Sequence, residues 1–501
     1  MKESLEFIYK EQKELGTFGG IGALLGWDQM TYMPIKGNDE RAEQLSLISR
    51  LAHQKVVSDE FYNHIQTLNN NHQSLTQKDQ LVVTRLKQDI DKARKIPASF
   101  VEKMTKTTTL AYTRWQEARE KNQYQIFAPY LEQIIELEKE YCDLIQLPGH
   151  PYNSLLDDYE EDMTAQKLKQ EFTTLKPHLT KLLHIITASK TYKQQKPLTI
   201  EFTRDQQQTL CHHLITLLNL PPEQSRLDVS THPFTTTLAD DDVRITTNFE
   251  HKQPLFSFLS TVHEAGHALY ELGLPRGEYQ HTIISDTPSL GLHESQSRFW
   301  ENMIARSKPF WNFYAPVFQN TAVDQCQNMT SETWYRSVNQ VRPSLIRIEA
   351  DELTYCLHVI LRFELELDLI DNKITVQELP QRWNEKTTEL LGVTPTNDTE
   401  GVLQDMHWST GEFGYFPTYA IGTIYATQLY KKLIETHPQT SEEITQGNFT
   451  NILSWLRENI HQYGRMMTAD DIIKKTCGEG LNSQVYLAYL KDKYSLLYDL
   501  S

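Results

Sequence analysis

A mainly α fold is predicted: one large helical body carrying a small β-hairpin or sheet near residues 226–250. Three observations lead there. Apolar residues recur at helical spacing along most of the 501-residue chain, as in Ala42, Leu45, Ile48 and Leu51. Only RLDVSTHPFTTTLADDDVRITTNFE combines Thr, Val and Ile with acidic turn residues in the manner of strands. No apolar run of about 18 residues appears, so no transmembrane helix is expected.

Taken in order, MKESLEFIYKEQKELG starts an amphipathic helix, and Gly16, Gly19, Gly20 and Gly22 lack the spacing of a dinucleotide fingerprint. They read as a helix start with close packing. A helix from Gln80 to Arg94 stops before Pro97, and Ser99 with Glu102 predicts a capping box for the next. Phe127 to Gln146 carries Leu131, Ile134, Ile135 and Leu137 on one side. Residues 147–164 read as a connector, Ala165 to Thr187 as a helix kinked at Pro177, and SKTYKQQKPL as a surface loop. RDQQQTLCHHLITLLNL is helical again; His212 and His213 are adjacent and cannot face one ion. Pro343 to Ile370 reads as one long helix, Thr375 with Glu378 caps another that ends near Gly392, and the tail from Thr440 is helical with breaks near Gly464 and CGEGLNS. The Gly- and aromatic-rich stretch from Pro395 to Thr423 is too long for a plain connector and is a functional candidate.

Composition narrows the function. A net charge of −17 argues against a nucleic-acid backbone or an anionic membrane as partner. Five scattered cysteines without a CxxC pair fit a reducing compartment, and the amino terminus lacks the apolar centre of a secretory signal, so a cytoplasmic location is expected.

Chemistry concentrates at LFSFLSTVHEAGHALYELG. On a helix His263 and His267 are four apart and share a face, so both imidazoles reach one ion. Glu264, one position on, is placed to act as general base on the attacking water. Pro254 suits the first turn and Gly273 the end of this helix. Two imidazoles do not complete a hydrolytic zinc site, which needs three protein ligands and an open position. Glu294, in a second helix started by Pro288 or Ser289, is the preferred third ligand and His293 its competitor, because a His-His-Glu set matches known hydrolytic zinc sites and one helical position swings His293 away by about 100 degrees. Arg298, four on, is placed to orient Glu294, or simply to pair with it on a helix face. Zinc is the expected ion, with cobalt or manganese compatible with the same donors.

Several further motifs, in order, carry a resemblance that spans essentially the whole chain. They are His232-Pro233-Phe234, Asp242-Val243-Arg244-Ile245-Thr246, HEAGH, His293-Glu294-Ser295-Gln296, Ile346-Arg347-Ile348-Glu349-Ala350-Asp351 and Gly401-Val402-Leu403-Gln404-Asp405-Met406-His407-Trp408. The sequence resembles the thermostable carboxypeptidase Taq family of metallocarboxypeptidases. That resemblance implies a single helical domain, two helical halves flanking a deep cleft, which removes single residues from peptide carboxyl ends, usually as a homodimer. Recognition of a free carboxylate favours an arginine, and Arg347 and Arg244 are the candidates; for Arg347 the alternative is a helix-face pair with Asp351. His407, Tyr415 and Tyr419 are candidate donors to substrate or oxyanion, and His232 a candidate cleft residue. The edge of the small sheet is a candidate for holding an extended peptide. The rival readings are an endo-acting metallo-oligopeptidase and a catalytically idle peptide- or metal-binding protein.

Overall fold

The computed structural model describes residues 1–500. Helix α1 (Lys2–Thr31) runs straight through the four early glycines, which are helix interior and not its start. α2 (Asn38–Val56) packs back on it, and α3 (Asp59–Asn69) and α4 (Gln77–Arg94) are capped by the hydroxyls of Ser58 and Thr76. α1, α3 and α4 enclose a small core of Ile8, Phe61, Ile65, Leu68, Val82 and Val83, closed by Ile284 from far along the chain.

Next come α5 (Ala98–Lys121), α6 (Ala128–Ile145), α7 (Tyr152–Leu156), α8 (Ala165–Ala188), α9 (Lys190–Gln194) and α10 (Arg204–Leu217). The expected Ser99–Glu102 capping box does not form. Pro97, already extended, accepts from Phe100 and Val101, so the helix is capped two residues earlier than expected and Ser99 lies inside its first turn. α8 continues through Pro177, and the predicted surface loop holds α9, capped by Ser189.

The strand-rich segment makes a three-stranded sheet in the order β1 (Ser225–Val229), β3 (Asp242–Thr247), β2 (Thr235–Ala239). β1 lies parallel to β3 and β2 antiparallel to it, leaving β2 as an edge. Val243 and Ile245 are fully buried on the face that meets α11 (Pro254–Glu271), so Arg244 between them points to the other face.

α11 buries Phe258, Val262 and Leu269, each contributing about 1.5–3 kcal/mol. Gly273 does not cap it in a left-handed conformation; the helix ends at Leu272, and a side chain at Gly273 would collide with the His461 ring. α12 (Leu290–Arg298) passes into a buried π-helical turn, Phe299–Ala305. α13 (Lys308–Thr321), α14 (Val323–Cys326) and α15 (Ser331–Val338) follow.

The single helix expected from Pro343 to Ile370 is instead an irregular segment, with one 3₁₀ turn at Arg347–Glu349, ahead of α16 (Tyr355–Ile370). The Asp351 carboxylate accepts the N–H groups of Arg342, Leu353 and Thr354, and Gln404 accepts that of Arg347. Side chains thus satisfy backbone donors that a helix would have used. The Arg347–Asp351 pair consequently does not exist. α17 (Leu379–Leu391) follows the reciprocal Thr375–Glu378 bonds and ends at left-handed Gly392, as predicted. α18 (Pro417–Thr436), α19 (Thr440–Thr445), α20 (Thr450–Asn459), α21 (Ala469–Cys477) and α22 (Ser483–Leu497) complete the chain. A large core unites α5 through α22, and α12 against α18 is among its most intimate packings. Among the described residues no helix is long and apolar enough to cross a membrane.

Candidate metal centre and cleft

α11 and α12 bring three donors together. His263 Nε2 and His267 Nε2 lie 3.5 and 3.4 Å from the same Glu294 oxygen, and the ligand atoms fall within 4.8 Å of one another. Tetrahedral zinc with bonds of about 2.1 Å spaces its donors by about 3.4 Å, so this set fits such an ion. Glu294 is built in from several sides. The Ser289 hydroxyl caps α12 through Leu292 N–H at 3.0 Å, and the buried Glu160 carboxylate accepts from Gly291 N–H. Arg298 Nε donates to Glu294 Oε1 at 2.7 Å and Ser297 Oγ to Oε2 at 2.9 Å. Burial raises the Glu294 carboxyl, but Arg298 and the two imidazoles outweigh it and hold the group well below the usual range.

His293 is turned elsewhere. Its Nε2 meets Glu271 Oε1 at 2.8 Å, while its ring stacks on His267 at 4.4 Å between centroids. It buttresses a ligand from the side and is absent from the donor set.

Two close helix approaches permit this geometry. A Cβ at Gly266 would lie 2.7 Å from the Gln296 carbonyl oxygen, and one at Gly422 on α18 would lie 2.7 Å from Glu294 Cβ and Cγ. A Gly422→Ala substitution is expected to push Glu294 off its position and weaken metal affinity by at least about 10-fold, comparable to loss of a ligand-orienting group. Titration with a competing chelator checks this; unchanged affinity would contradict the assigned role of the α12–α18 contact.

Sequence reasoning missed Glu301. It stands in the π-helical turn, two turns beyond Glu294, and accepts from His263 Nδ1 at 2.9 Å, which leaves Nε2 free to coordinate. Arg306 holds Glu301 from behind at 2.7 Å. π-helical turns concentrate at functional sites because they re-aim side chains. Glu301→Gln is expected to lower metal affinity by about 10–100-fold, read by the same titration. The seven-residue spacing from Glu294 was the available signal.

Glu264 is buried beside this cluster. Thr235 Oγ1, on edge strand β2, lies 2.6 Å from Glu264 Oε2 and 3.0 Å from the Glu264 backbone oxygen. Burial pushes the Glu264 carboxyl up, opposed by His263 and the Thr235 hydrogen bond. Thr235 was also missed; it follows the HPF motif at a strand position that faces α11.

A second buried cluster is centred on Arg347. Arg347, 5% exposed, directs Nε and Nη2 to Asp405 Oδ1 at 3.1 and 2.9 Å, and Nη1 to the Tyr355 hydroxyl at 3.3 Å. Its guanidinium lies over Tyr419, 4.8 Å from the ring centre. Asp405 also binds Arg362 Nε at 2.7 Å, so it joins two arginines and does not orient His407. His407 Nε2 is 3.3 Å from Tyr419 OH, and Tyr415 packs on both rings at 5.3 Å. Burial, then Arg347, depresses His407 to about 3, which keeps it neutral and suits it to donate or accept a hydrogen bond, not to act as an acid.

The two clusters adjoin. Arg298, bound to Glu294, lies over the Tyr355 ring at 4.2 Å, and Tyr355 in turn meets Arg347. Tyr419 stands one helical turn before Gly422, which abuts Glu294. Arg244 is not brought here. It pairs with Asp242 at 2.8 Å and stacks on Trp27 at 4.4 Å, on the sheet face turned away from α11. His232 is exposed just before β2, with only its backbone oxygen engaged, by Ser230.

Comparisons with known proteins place the chain in a family. The family model described as carboxypeptidase Taq (M32) metallopeptidase matches residues 7–494. The chain is 37% identical over 486 residues to "Carboxypeptidase 1" of Bacillus subtilis, and 35% identical over 498 residues to "Thermostable carboxypeptidase 1" of Thermus thermophilus, covering 97% of both chains in each case. Its fold superimposes on the M32 carboxypeptidase from Deinococcus radiodurans R1 with a TM-score of 0.96 at 34% identity, covering 99% of this chain and 100% of that one. For "Trypanosoma Cruzi Metallocarboxypeptidase 1" the TM-score is 0.95 at 34% identity, with the same coverage. With a divalent-metal donor set on crossed helices, and matches that run nearly end to end, the chain belongs to the carboxypeptidase Taq (M32) family of metallopeptidases.

Proposed function

We propose that this enzyme is a zinc-dependent carboxypeptidase that releases single residues from the free carboxyl end of peptides. The observation that carries this reading is the adjacency of the metal donor set to Arg347, bridged by Arg298 and Tyr355. His263, His267 and Glu294 would hold the ion. A divalent cation held there would supply Lewis-acid chemistry, polarising the scissile carbonyl and acidifying the attacking water. Cobalt and manganese suit the same donors.

The remaining steps belong to the protein. Thr235 orients the Glu264 carboxylate, which takes a proton from the attacking water and delivers it to the leaving amine. Arg347 receives the substrate carboxylate, with Asp405 and Tyr355 fixing its plane. His407, Tyr415 and Tyr419 donate to the developing oxyanion or the substrate backbone. Thr235 and its neighbours on β2 offer an edge for the extended peptide, with His232 at its approach; Arg244 serves as a structural clamp between the sheet and α1.

A single catalytic domain whose helical halves flank the cleft, residing in the cytoplasm, completes the proposal; all five cysteines are unpaired, as a reducing compartment requires. Peptides are the partners, and the net charge of −17 disfavours nucleic acid. The exposed apolar side chains of Leu24, Met30, Tyr32, Ile35, Leu47 and Leu51 on and between α1 and α2 support a homodimer. Light scattering is expected to give twice the chain mass, and a monomer at micromolar concentration would contradict this part of the proposal.

The activity itself is tested by mass spectrometry of paired peptides with free and amidated carboxyl ends. The free-ended peptide is expected to yield a ladder of one-residue losses and its amidated twin to stay intact. Internal cleavage of the amidated peptide would favour an endo-acting oligopeptidase.

A further inference from the structure

We propose that Glu366, on α16, is a positioning residue that holds both ends of the substrate-facing loop between His407 and Tyr415. This rests on the reading that His407, Tyr415 and Tyr419 touch the substrate. Glu366 is fully buried, and its carboxylate accepts three hydrogen bonds. Trp408 Nε1–H donates to Oε1 at 2.7 Å, Gly414 N–H donates to Oε2 at 3.1 Å, and the Tyr152 hydroxyl of α7 donates to Oε2. The nearest arginine on the same helix, Arg362, is committed to Asp405 and Gln404.

The arrangement matters because of what adjoins these donors. Trp408 directly follows His407, and Gly414 directly precedes Tyr415. One carboxylate therefore fixes the chain next to His407 and next to Tyr415, two of the three proposed donors. The donors themselves are weakly held. His407 Nδ1 has no partner, and its Nε2 makes only the 3.3 Å contact with Tyr419. Turn bonds such as Glu412 N–H to the His407 carbonyl oxygen shape the segment from within, and Glu366 ties it to α16 near both ends. Burial pushes the Glu366 carboxyl up to about 7, the Tyr152, Trp408 and Gly414 hydrogen bonds pull the other way, and bonds to the ionised form are the stronger ones.

Glutamine cannot replace it. Both carboxylate oxygens accept, so the NH₂ of Glu366→Gln must face either Trp408 Nε1–H or Gly414 N–H, releasing one end of the segment. In the metal-loaded enzyme, E366Q is expected to lower kcat by about 10–100-fold, the cost of a misplacement on the ångström scale. Metal stoichiometry should hold, and KM should stay within about 3-fold, because Arg347 is anchored separately by Asp405. Trp408→Phe should lose a similar amount, and the double variant no more than the worse of the two, since both break one clasp. Tyr152→Phe, which spares both loop bonds, should stay within about 3-fold of the unaltered kcat.

Three outcomes overturn the proposal: near-native kcat in E366Q, losses in E366Q and W408F that multiply in the double variant, or a Y152F loss equal to that of E366Q. Should E366Q fail to fold, W408F against Y152F decides, and a near-native kcat in W408F overturns it. Failure of the underlying activity reads out differently, since the unaltered enzyme would then leave free-ended peptides intact.

Discussion

Replacing Glu264 with glutamine is expected to lower kcat by about 10²–10⁴-fold while leaving the metal centre loaded. Glu264 is not among the clustered donors, and its carboxylate is held by Thr235, on the side of α11 that meets the sheet. The amide keeps the shape and the Thr235 contact but cannot accept a proton. Metal content measured on the purified variant should equal that of the unaltered protein, because His263, His267 and Glu294 are untouched. A fully loaded E264Q that cleaves at the normal rate would remove Glu264 from the mechanism. The pH profile carries the same signature. Burial pushes the Glu264 carboxyl up, so in the metal-free protein it takes its proton at a higher pH than an exposed glutamate, and a base must be unprotonated to act. Activity should therefore fall on the acid side, with the fall absent from residual E264Q turnover.

Arg347→Ala is expected to reduce kcat/KM for free-ended peptides by about 100–1000-fold, corresponding to about 3–4 kcal/mol at 1.4 kcal/mol per tenfold. Hydrogen bonds to charged groups each contribute about 1.5–3 kcal/mol, and a carboxylate bound by one guanidinium makes two. The loss should appear mainly in KM, because the interaction exists in ground and transition states alike. Removing one partner of a buried ion pair also destabilises, but Asp405 keeps Arg362 as its second cation, which limits the damage. Arg244→Ala is the control. Its guanidinium is occupied by Asp242 and Trp27 on the far face of the sheet, so kcat/KM should change by less than about 3-fold, provided the fold is intact. Unchanged kinetics in both variants would remove the arginine anchor altogether.

The meeting of His263 and His267 was legible because helical periodicity converts their four-residue spacing into one face. The preference for Glu294 over His293 rested on the donor set of known hydrolytic zinc sites together with helix geometry, and the structure groups Glu294 with the two imidazoles and turns His293 to Glu271. The small sheet was legible from its Thr, Val and Ile content, though not the parallel pairing of β1 with β3, which depends on contacts distant in sequence. Arg347 was read as part of a long helix because apolar periodicity continues through it. The outcome turned on Asp351 and Gln404, whose side chains satisfy the backbone and unwind that segment. Glu301, Thr235 and Glu366 were missed for a related reason. Thr235 meets Glu264 29 residues away, Glu301 meets His263 38 away and Glu366 meets Tyr152 214 away, and such long-range pairs leave little local pattern.

The measurement that bears most directly on the metal-and-anchor arrangement is a crystal structure of the zinc-loaded enzyme with a non-hydrolysable peptide analogue bearing a free carboxyl end. Anomalous density is expected between His263 Nε2, His267 Nε2 and Glu294, and the analogue's terminal carboxylate is expected on Arg347, one residue beyond the scissile position. Metal held elsewhere, or a peptide that runs past Arg347 with its carboxylate unbound, would contradict the account.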